Sequence, residues 1–494
     1  MSYAHAVAWL ADDGGDDDDR KAPLVDDDPE RGLLLESDQE KDGEPSRDVP
    51  KRVLSIGRLV FLAFFLTCGG PFGLETAVEV GGVGLVIIGL LVLPVIWSIP
   101  QSLMTAELAT MMSVNGGPLV WVWRGLGELP GVINAANGLA TSVIDISVYP
   151  DLIVAYLPIT LSPLARYLGK VGILALVTVI NILGLEVVSV VSGVLVFISM
   201  GVFVVEVPYA IAVWDASKWT SVPTPIDWAL LFSILLWANT GYDSLGNFAG
   251  EVERPTRTYP RAIALTLVAN SFAYIGPIVV GYTLLPDVKL WDDRGFLEAA
   301  EKTTFCIAIW MTVAASLSNV GKLNVGIATT ARLMWAMGAR IQDGGVSMRT
   351  LPSAFGVLSR RFGTPVRALL VQFLLASVMC RFDFAALVQF EMFLNCVCLG
   401  LEFAAFLVLR YTEPLTPRPY VVPGGLWGAW GITLSKSAIL LFTVGSIIWL
   451  KPVIFAGAVL FNALVVAVYY WQRFRKRRRR KRHQRQRSLS HFGG

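Results

Sequence analysis

The sequence predicts an all-α polytopic membrane protein of about twelve transmembrane helices. Three observations carry that prediction. Of 494 residues, 54% are hydrophobic and only 16% charged, against roughly 25% charged in an average soluble protein. Apolar runs of 15–30 residues recur along the chain without polar alternation, whereas barrel strands alternate and are about 10 residues long. The charges also segregate. Residues 1–50 hold 16 acids and 5 bases, and residues 473–494 hold 11 bases and no acid, so a net charge of +2 conceals two oppositely charged tails.

A span needs about 20 mainly apolar residues to cross roughly 30 Å of hydrocarbon. Candidate spans are 56–79, 84–105, 131–157, 171–185, 187–213, 228–248, 261–285, 303–337, 365–380, 384–410, 431–450 and 452–472. The first and sixth are interrupted by glycine. The fourth and fifth are nearly continuous around Gly184-Leu185-Glu186, and the eighth carries Lys322 and Arg332. An even number puts both tails on one side. With the tails inside, the inner connections hold 14 Lys or Arg outside the C-terminal run and the outer ones hold 8, which the positive-inside rule reads as cytoplasmic termini. The plasma membrane is the expected location.

Residues 1–50, with Asp16–Asp19 and Asp26–Asp28, read as an acidic disordered segment without signal-peptide features. All three histidines lie in the tails, and no G-x-x-x-x-G-K-[ST] loop or metal-ligand spacing occurs. An enzyme, a cofactor and a metal are therefore not expected. A secondary transporter, a channel and a receptor remain, and twelve spans without a folded soluble domain favour the transporter.

The glycine breaks locate the site. The first span is cut by Gly69-Gly70-Pro71-Phe72-Gly73 and the sixth by Asn239-Thr240-Gly241-Tyr242-Asp243. Proline and clustered glycine make continued helix costly, and such breaks are tolerated in a bilayer only when buried in protein or lining a cavity. Breaks at corresponding positions point to two inverted five-helix repeats, about 55–213 and 228–410, followed by two extra helices over 431–472.

At these residues the chain resembles the amino acid–polyamine–organocation (APC) superfamily, and within it the polyamine uptake transporters of plant and protozoan type. The blocks that carry the resemblance are Gly69–Glu75, Trp97–Pro100, Thr105–Thr110, Asn115–Gly117, Asp145 with Tyr149-Pro150, Ala249–Pro255, Ser318-Asn319, Glu391–Asn395, Leu401–Phe403 and Arg418–Tyr420. The resemblance implies a five-plus-five inverted-repeat fold, alternating access, and import of diamines or polyamines of the putrescine, cadaverine and spermidine class coupled to protons. Asn395 and Lys322 depart from the plant pattern.

A polycation calls for carboxylates and aromatic faces, and ionisable groups inside spans are functional by default. Asp243, beside the sixth-span break, is the first choice for either an ammonium contact or proton coupling. Asp145 and Tyr149 are four apart and share a helix face; the resemblance makes Tyr149 a substrate contact and places Trp237 at the aromatic position of the break. Glu391 and Asn395 are likewise four apart, with Glu402 near the same face. Gly69, Gly70, Gly73 and Tyr242 complete the expected substrate site. Glu75 either contacts a cation or caps the second half-helix. Glu251 is expected in an inner gate with Glu253, Arg254 and Arg257, and Lys322 either joins the coupling machinery, pairs with Asp243 or snorkels to an interface. The run Arg475–Arg482 is expected to meet anionic lipid rather than nucleic acid. The rival readings are an amino acid permease of the same superfamily and a transport-dead nutrient receptor.

Overall fold

Glycine and proline decide where the apolar segments are cut. The computed structural model describes residues 52–491 apart from 158–160, 221–222, 224, 293, 340 and 344–345. The acidic segment 1–50 lies outside the described residues, as do the side chains beyond Arg475.

The first expected span is two helices, α1 (Ile56–Thr67) and α2 (Glu75–Gly81). Helix α1 stops where the amides of Cys68 and Gly69 both donate to the Phe64 carbonyl, each at 2.8 Å. Gly69, Gly70 and Gly73 then take positive φ of 67°, 121° and 99°, a region that a Cβ disfavours. Helix α3 (Val83–Met111) widens to a π-turn at Pro94–Ser98. Pro100 has no N–H for the Ile96 carbonyl, and that oxygen instead accepts from Ser435 Oγ at 3.0 Å.

Helix α4 (Gly117–Leu126), not expected as a separate element, leads into α5 (Glu128–Ala155). Helices α6 (Pro163–Leu183) and α7 (Leu185–Ala212) are separated by Gly184 at φ 126°. Asp227 caps α8 (Trp228–Ala238) by accepting from the Leu230 amide at 3.0 Å. After α8 the chain breaks at Gly241, φ 98°, and continues as a 3-10 helix, Asp243–Glu251. There follow α9 (Pro255–Leu284), α10 (Gly295–Glu301), α11 (Phe305–Gly338), a short hairpin of β1 (Ile341–Asp343) and β2 (Val346–Met348), α12 (Val366–Met379), α13 (Phe384–Thr412) and α14 (Gly425–Leu450). The last helix, α15 (Pro452–His491), runs on through the basic segment instead of ending at residue 472.

Among the described residues, nine helices are long and apolar enough to cross a membrane, with α1 and α12 as shorter apolar helices. The chain is an α-helical, multi-pass integral membrane protein. Helices α5, α11 and α13 form its centre, and α15 is peripheral. In α13, 67% of the span is buried in the bundle, against 11% in α15.

Ion pairs tie one end of the bundle together. Glu251, at the end of the 3-10 helix, pairs with Arg332 on α11 at 2.6 Å and accepts from Asn115 Nδ2 at 3.0 Å. The fully buried Glu107 on α3 meets Arg410, Arg418 and the Val422 amide. Glu253, Arg254 and Arg257, expected to form a gate with Glu251, are exposed; the Glu251 carboxylate is instead held by Arg332 and Asn115.

Candidate functional site

The two breaks meet back to back. Gly241 packs so closely on α1 that a Cβ there would sit 2.7 Å from the Leu66 carbonyl. Tyr274 on α9 bridges them, with its hydroxyl donating to the carbonyl of Ala238 at 2.6 Å and lying 3.2 Å from that of Thr67. Tyr242 accepts from Asn270 Nδ2, which also donates to Thr67 Oγ1, both at 2.8 Å. Tyr242 thus holds α9 against the breaks and does not line the adjoining cavity.

That cavity, of about 90 Å³, lies between the breaks and α5, α11 and α13. Asp145, Tyr149, Trp237, Asp243, Glu391 and Asn395 line it, with Lys322. Glu402, Asn134 and Thr240 also line it; their sequence signals were a helical spacing of eleven from Glu391 for Glu402 and none for Asn134.

The polar groups form two clusters. In the first, Asp145 Oδ1 accepts from Tyr149 OH at 2.5 Å and Trp237 Nε1 at 3.1 Å. The Lys322 ammonium stands 4.6 Å from the Trp237 ring centre and 5.7 Å from that of Tyr149, a cation–π arrangement. Glu391 interacts electrostatically with both Asp145 and Lys322. Lys322 therefore sits in the cavity wall on the side of Asp145, and its stem fills the space above Gly69 that a Cβ would need.

In the second cluster, Asp243 accepts a hydrogen bond from Gln101 Nε2. Gln101 Oε1 in turn accepts from Lys436 Nζ at 2.9 Å, and the same ammonium donates to the Trp97 carbonyl at 3.1 Å. Lys436 lies 3.3 Å from the centre of the Trp97 ring and is completely buried. It was missed because it occupies one position in an apolar run on α14, far in sequence from its partners. Glu402 interacts electrostatically with Asp243 and Lys436 and accepts from Asn134 Nδ2 at 3.2 Å. Asn395 donates to Thr240 Oγ1 at 3.1 Å.

Three acceptors on lining residues are left over. Glu391 Oε2, Glu402 Oε2 and Asn247 Oδ1 are buried with no hydrogen-bond partner among the described residues, and of these the two orphaned carboxylate oxygens are the expensive ones. Both glutamates belong to α13 and to the wall of the same cavity. The arrangement can receive positively charged or hydrogen-bond-donating groups.

The first break offers the opposite. Its three glycine amides are already engaged: Gly69 N–H with the Phe64 carbonyl, Gly70 N–H with Cys68 Sγ at 3.4 Å, and Gly73 N–H with Glu75 Oε2 at 2.5 Å. The Gly69 carbonyl accepts from Ser318 Oγ. Glu75 also accepts from Tyr156 OH, so its carboxylate is engaged by the break itself and by the end of α5 and does not cap α2, which has no side-chain cap; Gly69, Gly70 and Gly73 stand beside the cavity, outside its lining.

Residues 60–482 match the family model described as amino acid permease. The polyamine transporter PUT1 of Oryza sativa subsp. japonica is 34% identical over 81% of this chain and 75% of its own. The polyamine transporter RMV1 of Arabidopsis thaliana is 32% identical over 78% of this chain and 79% of its own. The Asc-type amino acid transporter 1 of Mus musculus is 30% identical, over 39% of this chain and 36% of its own. Plant polyamine transporters thus align along most of the membrane body, and the chain belongs to the amino acid permease family of the APC superfamily.

Proposed function

We propose that the protein is a proton-coupled importer of diamines and polyamines that works by alternating access. The observation that carries this reading is a pair of buried carboxylate oxygens, Glu391 Oε2 and Glu402 Oε2, that have no hydrogen-bond partner among the described residues and belong to two residues lining one cavity. A substrate ammonium supplies the donors they lack and offsets their charge. Trp237 and Tyr149 give the methylene and ammonium groups an aromatic wall, with Asp145 and Asn395 as further contacts. The names of the plant relatives agree with this substrate class.

Asp243 takes the coupling role. Lys436, reaching it through Gln101, already supplies a local positive charge. That leaves Asp243 better suited to exchanging a proton than to holding an ammonium permanently. Lys322 sets the charge of the opposite cluster, and Glu251 with Arg332 closes the tail-bearing end. The architecture that fits is twelve spans, two five-helix inverted repeats with α1–α2 and α8 with its 3-10 continuation as the broken members, and two added helices. Both termini are then cytoplasmic at the plasma membrane.

A second reading, an amino acid permease, draws on Lys322, whose ammonium could receive a substrate carboxylate. The engaged glycine amides of the first break weigh against it, because a helix N-terminus binds a carboxylate through free N–H groups. Uptake of labelled putrescine, spermidine, arginine and lysine into proteoliposomes, with and without a protonophore, tests both. Diamine or triamine uptake that the protonophore collapses is expected. Arginine or lysine uptake without amine uptake would replace this reading with the permease, and no uptake of any would favour a receptor.

A further inference from the structure

A second cleft, of about 350 Å³, lies between the start of α5, the end of α11 and the middle of α15. It does not belong to the cavity described above, and its lining changes character along its length. Val132, Ala136, Met337, Phe461, Leu464 and Val465 give it an apolar wall. Glu128, Arg349, Tyr469, Gln472 and Arg473 make a polar end.

Three facts identify what such a cleft fits. Its wall on α15 runs from Phe461 to Arg473, which at the helical rise is about 18 Å and so comparable with one leaflet of a hydrocarbon core roughly 30 Å thick. Its gradient from hydrocarbon wall to charged rim follows that of a phospholipid inserted from the interface. The rim also favours an anion. Glu128 is tied up through Tyr469, whose hydroxyl donates to Glu128 Oε2 and accepts from Arg473 Nη1, both at 3.2 Å. Arg349 is exposed and has no ion-pair partner among the described residues. Two guanidiniums therefore face one internally bonded carboxylate, and the basic run begins just beyond Arg473.

We propose that this cleft is a binding site for one anionic phospholipid. An acyl chain lies between α15 and the bundle, and the headgroup phosphate sits between Arg349 and Arg473. Occupancy would pin α15, whose span is otherwise only 11% buried, against α5 and α11. Because α5 also carries Asp145 and Tyr149 and α11 carries Lys322, the lipid would brace two helices that line the cavity. Guanidinium groups hold a phosphodiester through paired donors, and basic pockets at membrane interfaces select anionic headgroups over zwitterionic ones.

The test reconstitutes the full chain in phosphatidylcholine vesicles doped with spin-labelled phosphatidylserine or spin-labelled phosphatidylcholine. An immobilised component is read by electron paramagnetic resonance. The expected result is an immobilised fraction that is stronger for phosphatidylserine and that weakens about fivefold for each arginine removed in Arg349→Gln and Arg473→Gln. Val465→Trp, which fills the apolar part, should remove it while leaving the arginines in place. Neutralising the bases from Lys476 to Arg482 should leave it intact, since the proposed site lies before them. Equal immobilisation of both lipids, no change in the arginine variants, or loss only on neutralising the terminal run would overturn the proposal. The arginine variants decide the matter even if Val465→Trp does not fold. Lipid occupancy is read without transport, so the outcome is independent of the substrate assignment.

Discussion

The two helix breaks have the same covalent cause and opposite contents. Glycines of positive φ interrupt an apolar helix in both. At the first, the polar groups are consumed locally: Glu75 takes the Gly73 amide and the Tyr156 hydroxyl, and Ser318 takes the Gly69 carbonyl. At the second, Trp237, Thr240 and Asp243 project into the cavity, where they meet groups from α3, α5 and α13. A break in a membrane helix is thus either a satisfied joint or a source of binding groups. Which it becomes depends on whether its own neighbours engage the freed donors and acceptors.

The largest effect is expected where the breaks touch. Gly241→Ala forces an L-residue into positive φ, costing about 1–2 kcal/mol, and drives its methyl into the Leu66 carbonyl. Both the melting temperature and uptake should collapse; a normal melt would show that the breaks are not wedged together. At the second break, Asp243→Asn keeps shape and removes charge. The variant should insert and fold while proton-driven uptake falls about tenfold or more, the worth of one charged hydrogen bond. Wild-type uptake would remove Asp243 from the coupling pathway. At the first break, Glu75→Leu should show the reverse signature. It strips the acceptor from the Gly73 amide and the Tyr156 hydroxyl, costing about 1–3 kcal/mol for each buried group left unpaired. Thermal stability should fall while the half-saturation concentration of the surviving protein stays put. A changed half-saturation with an unchanged melt would place Glu75 among the binding groups.

Local chemistry made much of this visible beforehand. Pro71 with three glycines, and Gly241 beside Asp243, mark the breaks because backbone preference acts within a few residues. Asp145 and Tyr149 were readable as a pair because a spacing of four fixes one helix face, and they are hydrogen-bonded. The partners that cross the bundle were not readable. Lys436 reaches Gln101 over 335 residues and Gln101 reaches Asp243 over 142, and only the packing of α3 against both α14 and the 3-10 helix brings them together. The fate of Glu75 was open for the same reason, since its partner Tyr156 comes from another helix. Helix ends were blurred where no glycine or proline marks a boundary, as with the continuation of α15 through the basic segment to His491.

The most direct measurement is equilibrium binding of labelled spermidine and putrescine to the purified protein and to Glu391→Gln. Glu391 Oε2 has no hydrogen-bond partner among the described residues, so the substitution leaves no donor there without its acceptor and is expected to leave the fold intact. Saturable binding to the wild type is expected, with affinity about tenfold or more weaker in the variant, the loss of one charged contact, and with the melting temperature unchanged or raised. Equal affinity in the two proteins, or no saturable amine binding to the wild type, would contradict the claim that the cavity carboxylates receive the cation.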